Sequence, residues 1–107
     1  MAKQRILFLG SKPIGYHCLH YLIEYVAKHE IELCGILTND NPVFANGLSL
    51  RQLASNHQIP IINSLEEMPE VDIIYSVQYH EILLAKHIAR AKEIAVNLHM
   101  APLPEYR

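Results

Sequence analysis

Apolar and polar positions change period repeatedly along this chain, from the spacing of a strand to that of a helix. Residues 5–9 form a continuous apolar run that ends at Gly10, which is typical of a strand covered on both faces. Residues 14–29 carry apolar side chains at helical spacing, and residues 31–38 return to a strand-like run. The first third of the chain therefore predicts a strand, a tight turn, a helix and a second strand.

The remainder continues this alternation. Ser49 and Gln52 have the spacing of a capping box and predict a short helix, whereas Pro60 within residues 59–62 predicts a strand at the edge of the sheet. Strands are also predicted over 71–77 and 94–98, with a third full helix over about 81–91. We expect an α/β fold: a Rossmann-like doubly wound parallel sheet of five strands in order 3-2-1-4-5, with flanking helices.

Three polar turns follow strands of this predicted sheet. In a doubly wound sheet, ligands bind outside the carboxyl ends of the strands, where the winding reverses. We therefore expect one crevice to collect the polar residues after the first, fourth and fifth strands, namely Ser11, Lys12, Tyr79, His80, Asn97 and His99.

Asn97 and His99 stand two residues apart on an otherwise apolar strand, so their side chains share one face. One interpretation is structural, with Asn97 capping a loop and His99 bonded to a carbonyl. The other is chemical: an asparagine amide stabilises an oxygen that becomes negative under attack, and a histidine takes the proton of the attacking group. The convergence of three turns favours the chemical interpretation, which is acyl or formyl transfer to an amine.

Composition narrows the class of protein. The chain has 107 residues, a formal net charge of −2 and 50% hydrophobic residues, which indicates one domain and gives no basic face for nucleic acid. Cys18 and Cys34 form no CxxC motif and are expected to be buried, reduced thiols. No apolar run is long enough for a secretory leader or a membrane span. We therefore expect a soluble cytoplasmic protein.

Two weaker motifs favour structural roles. Gly10 and Gly15 have the spacing of a phosphate loop, but Tyr16 and His17 follow where lysine and serine or threonine are required. Glycines that allow a tight turn into the helix are the better account. His17 and His20 lack a carboxylate or thiol at matching spacing, so a solvated helix face is favoured and no metal is expected.

Three segments together resemble a known family. They are Asn97-x-His99 followed by Leu103-Pro104-x-Tyr106-Arg107, the turn Tyr79-x-x-Ile82-Leu83, and the opening Phe8-Leu9-Gly10-Ser11. Over its whole length the chain resembles the N-terminal part of the folate-dependent formyltransferases, which include the glycinamide ribonucleotide, methionyl-tRNA and amino-sugar formyltransferases.

This resemblance implies that 10-formyltetrahydrofolate donates a formyl group to a primary amine. Asn97 would stabilise the oxyanion and His99 would transfer the proton. Ser11 and Lys12, which follow the first strand in the same predicted crevice, are expected to contact the substrate. The resemblance also assigns a folate pocket, which suits a flat, largely apolar pterin. The residues expected to line it are Tyr79, His80, Glu81, Ile82, Leu83 and Leu103.

Two departures from the family pattern bear on activity. The family completes its catalytic set with an aspartate beyond the segment that ends at Arg107. We therefore expect residues 1–107 to be a single formyltransferase-like N-terminal domain, truncated at the C-terminus, with activity lowered by roughly a hundredfold to ten-thousandfold. Leu84 stands where many members have proline, which would alter the turn into the following helix.

The acceptor is the least determined feature. The connection 41–47 carries no positive charge, which favours a small amine, such as a nucleotide-linked amino sugar, over tRNA. Methionyl-tRNA formyltransferase and formyltetrahydrofolate deformylase, in which water replaces the amine, remain alternatives. A non-catalytic nucleotide-binding α/β module is the alternative of another class, with its ligand at the Gly10 turn. The sequence leaves the oligomeric state open.

Overall fold

A computed structural model describes residues 4–38, 49–77, 79 and 83–98. Its strands are β1 (Gln4–Gly10), β2 (Ile31–Leu37), β3 (Val71–Val77) and β4 (Ala91–Leu98). Its helices are α1 (Lys12–Ala27), α2 (Leu50–Asn56) and α3 (Ala85–Ile88), with a 3-10 helix at Leu65–Glu67. None of the described helices is long and apolar enough to cross a membrane.

The described strands form one parallel sheet in the order β2-β1-β3-β4. The parallel α/β architecture with flanking helices is confirmed, but the five-stranded order 3-2-1-4-5 is wrong for the described residues. Residues 59–62 contribute only a parallel bridge between Ile61 and Ile36, beside β2. Pro60 explains the shortfall, because it has no N–H to extend the ladder and only its carbonyl accepts, from Ile36 N at 3.0 Å.

The face of the sheet that α1 and α2 cover, here called the helix face, contains the larger core cluster. Pro13 lies in the first turn of α1, where its missing N–H costs nothing. Ser49 Oγ accepts a hydrogen bond from Gln52 N at 3.1 Å and so caps α2, as the sequence predicts. The buried members of this cluster are Ile6, Phe8, Leu19, Leu22, Leu33, Ile36, Leu50, Leu53, Ala54 and Val77.

The opposite face has a separate core cluster, covered by the 3-10 helix and its neighbours. Its buried members are Leu7, Leu9, Leu37, Leu65, Met68, Val71 and Ile74. The predicted third full helix is wrong here, because α3 has only 4 residues and β4 begins at Ala91. Arg90 explains this early start, since its carbonyl accepts from Val71 N at 2.9 Å and so brings the chain into the sheet.

β4 differs from the buried strand that its apolar sequence suggests. It is the last strand in the described sheet, and its apolar side chains on the helix face remain accessible. Ile94 is 53% exposed, Val96 41% and Leu98 39%. The apolar sequence of β4 therefore does not indicate burial on both faces within the described part of the chain.

Candidate functional site

The register of the sheet brings three strand ends to one level. Gly10 of β1 pairs with Val77 of β3, and Val77 pairs with Leu98 of β4. Asn97, one residue earlier, pairs with Ser76. Because neighbouring strands lie about 4.8 Å apart, the ends of β1 and β4 are about 10 Å apart. Ser11 and Asn97 thus lie at the same carboxyl edge, as the doubly wound prediction requires.

Asn97 shares a face of the sheet with the described residues of the predicted folate pocket. Its neighbour two positions earlier, Ala95, packs on the core cluster opposite the helix face. Tyr79 and Leu83 pack on the same cluster. Since side chains alternate along a strand, Asn97 points to that side too, and its side chain is exposed. An amide donor and two residues of the predicted pocket therefore lie on one side of the carboxyl edge.

Two buried hydroxyl groups lie at the ends of the neighbouring strands β1 and β2. Ser11 is 5% exposed and Thr38 is 7% exposed. Neither hydroxyl oxygen has a hydrogen-bond partner among the residues that the structure describes. A buried polar group without a partner costs about 1–3 kcal/mol, so both hydroxyl groups retain unused hydrogen-bonding capacity at these strand ends. Thr38 was missed from the sequence as a site residue, although it is the first polar residue after the apolar run of β2.

The Gly10 turn is tightly packed, in agreement with the structural account of its glycines. A Cβ atom on Gly15 would lie 3.3 Å from the carbonyl carbon of Gly10, and one on Gly10 would lie 2.6 Å from the Phe8 ring. The side chain of Ser11 makes no capping hydrogen bond at the start of α1. Close approach of α1 to the end of β1 therefore accounts for Gly15, whereas the Phe8 ring of the same strand accounts for Gly10.

Polar contacts join α3 to the 3-10 helix beside this site. His87 Nε2 lies 3.0 Å from Glu66 Oε1, and Lys86 Nζ lies 3.1 Å from Glu66 Oε2. The hydrogen bond from His87, and then that from Lys86, lower the pKa of the Glu66 carboxyl group. His87 is not among the site residues predicted from the sequence, where its signal is a histidine three residues after Leu84, the residue that caps α3.

The helix face has an apolar groove of its own, away from Asn97. Its volume is about 390 Å³, and it lies between α1 and β3. Tyr75 borders it and packs edge-to-face on Phe8 with ring centroids 5.7 Å apart. The other residues that line it are His17, Cys18, Tyr21, Leu22 and Tyr25.

Several predicted site residues lie outside the described part of the chain. The structure includes Lys12 in α1 but does not describe its side chain. His17 and His20 are exposed on α1, as expected of a solvated face. No group of three or more potential metal-ligating side chains occurs within residues 4–38, 49–77, 79 and 83–98. The predicted site residues outside these ranges are His80, Glu81, Ile82, His99 and Leu103, and the connection 41–47 also lies outside them.

Comparison with curated proteins finds relatives of one kind. The methionyl-tRNA formyltransferase of Lacticaseibacillus paracasei is 30% identical over 95% of this chain, and that of Staphylococcus epidermidis is 27% identical over 96%. The alignments cover 36% of each relative, so the chain spans about a third of their length. No family model matches the chain.

Solved structures share the fold. A formyltetrahydrofolate deformylase from Pseudomonas putida superposes with a TM-score of 0.65 at 19% identity, covering 98% of this chain and 41% of its own. Glycinamide ribonucleotide transformylase 1 from Geobacillus kaustophilus gives a TM-score of 0.64 at 12% identity, covering 98% of this chain and 62% of its own.

The parallel sheet and its flanking helices define a Rossmann-like α/β domain, a fold class that binds ligands outside the carboxyl ends of its strands. The solved structures share the fold, and the sequence relatives are methionyl-tRNA formyltransferases. Together they support a formyltransferase-family N-terminal domain.

Proposed function

We propose that this chain is the folate-binding N-terminal domain of a folate-dependent N-formyltransferase, with 10-formyltetrahydrofolate as the formyl donor. The observation that carries the proposal is the position of Asn97, Tyr79 and Leu83 on one side of the carboxyl edge. A primary amine is the acceptor, and the family of the chain supports this reaction class.

The described residues suit these roles. Tyr79 and Leu83 are half-buried against an apolar cluster, and they offer one wall of a pocket for the flat pterin ring. The side chain of Asn97 is exposed at the strand end, where its amide group donates to the formyl oxygen as that oxygen becomes negative. His99 is assigned proton transfer, and His80, Glu81, Ile82 and Leu103 complete the folate pocket.

The acceptor site lies toward Ser11 and Lys12. Buried hydroxyl groups on Ser11 and Thr38 supply hydrogen-bonding capacity there, which suits a polar small molecule. Together with the uncharged connection 41–47, this favours a small amine such as a nucleotide-linked amino sugar. A second candidate acceptor is methionyl-tRNA, because the curated relatives are methionyl-tRNA formyltransferases. Formyltetrahydrofolate deformylation needs only water in place of the amine, and it is the third candidate.

A titration of the whole chain with 5-formyltetrahydrofolate, followed by amide NMR shifts, tests the proposal. We expect shifts concentrated at Tyr79, Leu83 and residues 95–98. Asn97→Ala should weaken the response near β4 by a few-fold, whereas Val96→Ala, whose side chain points to the helix face, should leave it unchanged.

Two outcomes would contradict the proposal. A folded chain that gives no shifts with the folate would remove folate binding. Shifts at Gly10 and Ser11 with a nucleotide, in the same sample, would instead support the non-catalytic nucleotide-binding module.

A further inference from the structure

A buried histidine beside the folate-lining residues carries an inference that rests on the proposed function and extends it. His87 is 3% exposed. Its Nδ1 accepts a hydrogen bond from the backbone N–H of Leu84 at 3.0 Å. Because Nδ1 accepts, the ring proton lies on Nε2, which donates to Glu66 Oε1 at 3.0 Å. Both ring nitrogens of a neutral imidazole are thus in use.

Leu84 connects this histidine to the site. It follows Leu83 directly, and Leu83 packs with Tyr79 on the apolar cluster of the site. Leu84 also caps α3 in an extended conformation, with φ −86° and ψ 168°. An N-cap N–H has no partner inside its helix, so the acceptor on His87 supplies one. The amide of His87 donates back to the Leu84 carbonyl at 2.9 Å. Both backbone polar groups of Leu84 are therefore held by His87.

The other side of His87 is held by the 3-10 helix. Glu66 accepts from both His87 and Lys86. Arg90 donates to the carbonyl of Glu66 at 3.2 Å and also to the carbonyl of Met68. Met68 is 2% exposed and belongs to the cluster on which Leu83 packs. These hydrogen bonds among Glu66, Met68, Lys86, His87 and Arg90 therefore join α3 to the 3-10 helix.

We infer that His87 is a positioning residue for folate binding. It holds the Leu83–Leu84 backbone in the geometry in which Leu83 lines the pocket, and it acts through Leu84 rather than by touching the folate. Its neutral imidazole is suited to this task because one nitrogen must accept from Leu84 while the other donates to Glu66.

Calorimetric titration of the whole chain with 5-formyltetrahydrofolate, on wild type, His87→Leu and His87→Gln, tests the inference. Leucine fills the buried space but accepts no hydrogen bond, and it should weaken folate binding about fivefold. Glutamine is a common residue at this capping position, where its side-chain oxygen accepts from the cap N–H, and it should stay within about twofold of wild type. Ile36→Val, on the helix face, is a control that lowers stability without weakening binding.

Each result decides something. Wild-type affinity in His87→Leu would overturn the inference while leaving the proposed function intact, and so would a His87→Gln variant as weak as His87→Leu. A folded wild-type chain without folate affinity would overturn the proposed function and, with it, the inference.

If His87→Leu does not fold, Leu84→Pro is the second variant, with His87 left in place. Proline has no N–H to donate to His87, so this variant removes the same hydrogen bond from the other side. It should weaken folate binding about fivefold. Wild-type affinity in a folded Leu84→Pro variant would overturn the inference.

Discussion

β1 and β4 are both parallel strands with apolar sequences and a polar residue near their carboxyl ends, yet their surroundings are opposite. In β1, Leu7, Phe8 and Leu9 are all 0% exposed, because helices cover one face and the second cluster covers the other. In β4, at the edge of the described sheet, Val96 is 41% exposed, and the chain just before it is held to the 3-10 helix by polar contacts.

The difference shows that the two strands have different roles: the buried strand β1 supplies stability, and the exposed strand β4 presents a candidate site residue. Apolar burial around β1 stabilises the sheet more than the accessible side chains of β4 do, since each fully buried large apolar side chain contributes about 1.5–3 kcal/mol. The edge at β4 contributes less stabilisation, but it leaves the side chain of Asn97 accessible. Exposed strand ends of a rigid sheet are where a doubly wound fold binds its ligands.

The largest expected effect comes from truncating the interior strand. Phe8→Ala should lower the free energy of unfolding by about 3–5 kcal/mol, because the ring is fully buried and packs on Tyr75. Val96→Ala in β4 should cost under about 1 kcal/mol. Urea unfolding of both variants measures the contrast. Equal losses would mean that β4 is covered in solution and would break the comparison.

An intermediate effect is expected where β1 meets the Gly10 turn. A Cβ atom on Gly10 would lie 2.6 Å from the Phe8 ring, so Gly10→Ala should cost about 1–3 kcal/mol by displacing a buried ring. Gly35→Ala is the matched control. Its Cβ would lie 2.7 Å from the terminal carbon of Ile62, which can rotate away, and 3.3 Å from the Pro60 carbonyl oxygen, which needs a shift of only a few tenths of an ångström. It should therefore be tolerated better than Gly10→Ala. Thermal unfolding compares the two, and a greater loss for Gly35→Ala would contradict this account of the turn.

The smallest expected effect is a pH dependence of the stability that Glu66 gives to the region beside β4. The pKa of Glu66 is lowered below its usual 4.5 by hydrogen bonds from His87 and Lys86. A carboxyl group with a lowered folded-state pKa stabilises the fold above its unfolded pKa, and this contribution is lost as the pH falls through the folded value.

The melting temperature of wild type should therefore exceed that of Glu66→Gln at pH 7, by an amount that shrinks below about pH 4.5. Phe8→Ala, on the buried interior strand, is the control: its loss of melting temperature relative to wild type should stay the same over this pH range. A Glu66→Gln difference that is unchanged at pH 3 would show that the charge of Glu66 is not what stabilises the edge.

Much of the fold follows from local pattern. Residues 71–77 were predicted as a strand and are β3, and the cap of α2 at Ser49 was predicted from its spacing with Gln52. The strand at 59–62 was overestimated, because apolar pattern does not show that Pro60 limits pairing to one bridge. The third helix was overestimated because the contact from the Arg90 carbonyl to Val71 joins residues distant in sequence.

For the candidate site too, some features follow from the sequence and others only from the tertiary structure. The sequence alone determined the parallel α/β class, because periodicity is a local property of the chain, and its motifs carried the resemblance to the formyltransferases. It also proposed Ser11, Tyr79, Leu83 and Asn97 as candidate site residues. Only the tertiary structure decided that Asn97 shares a side with Leu83, that β4 is exposed and that His87 holds Leu84. These depend on strand register and on contacts between distant segments, which hydrophobic period does not encode.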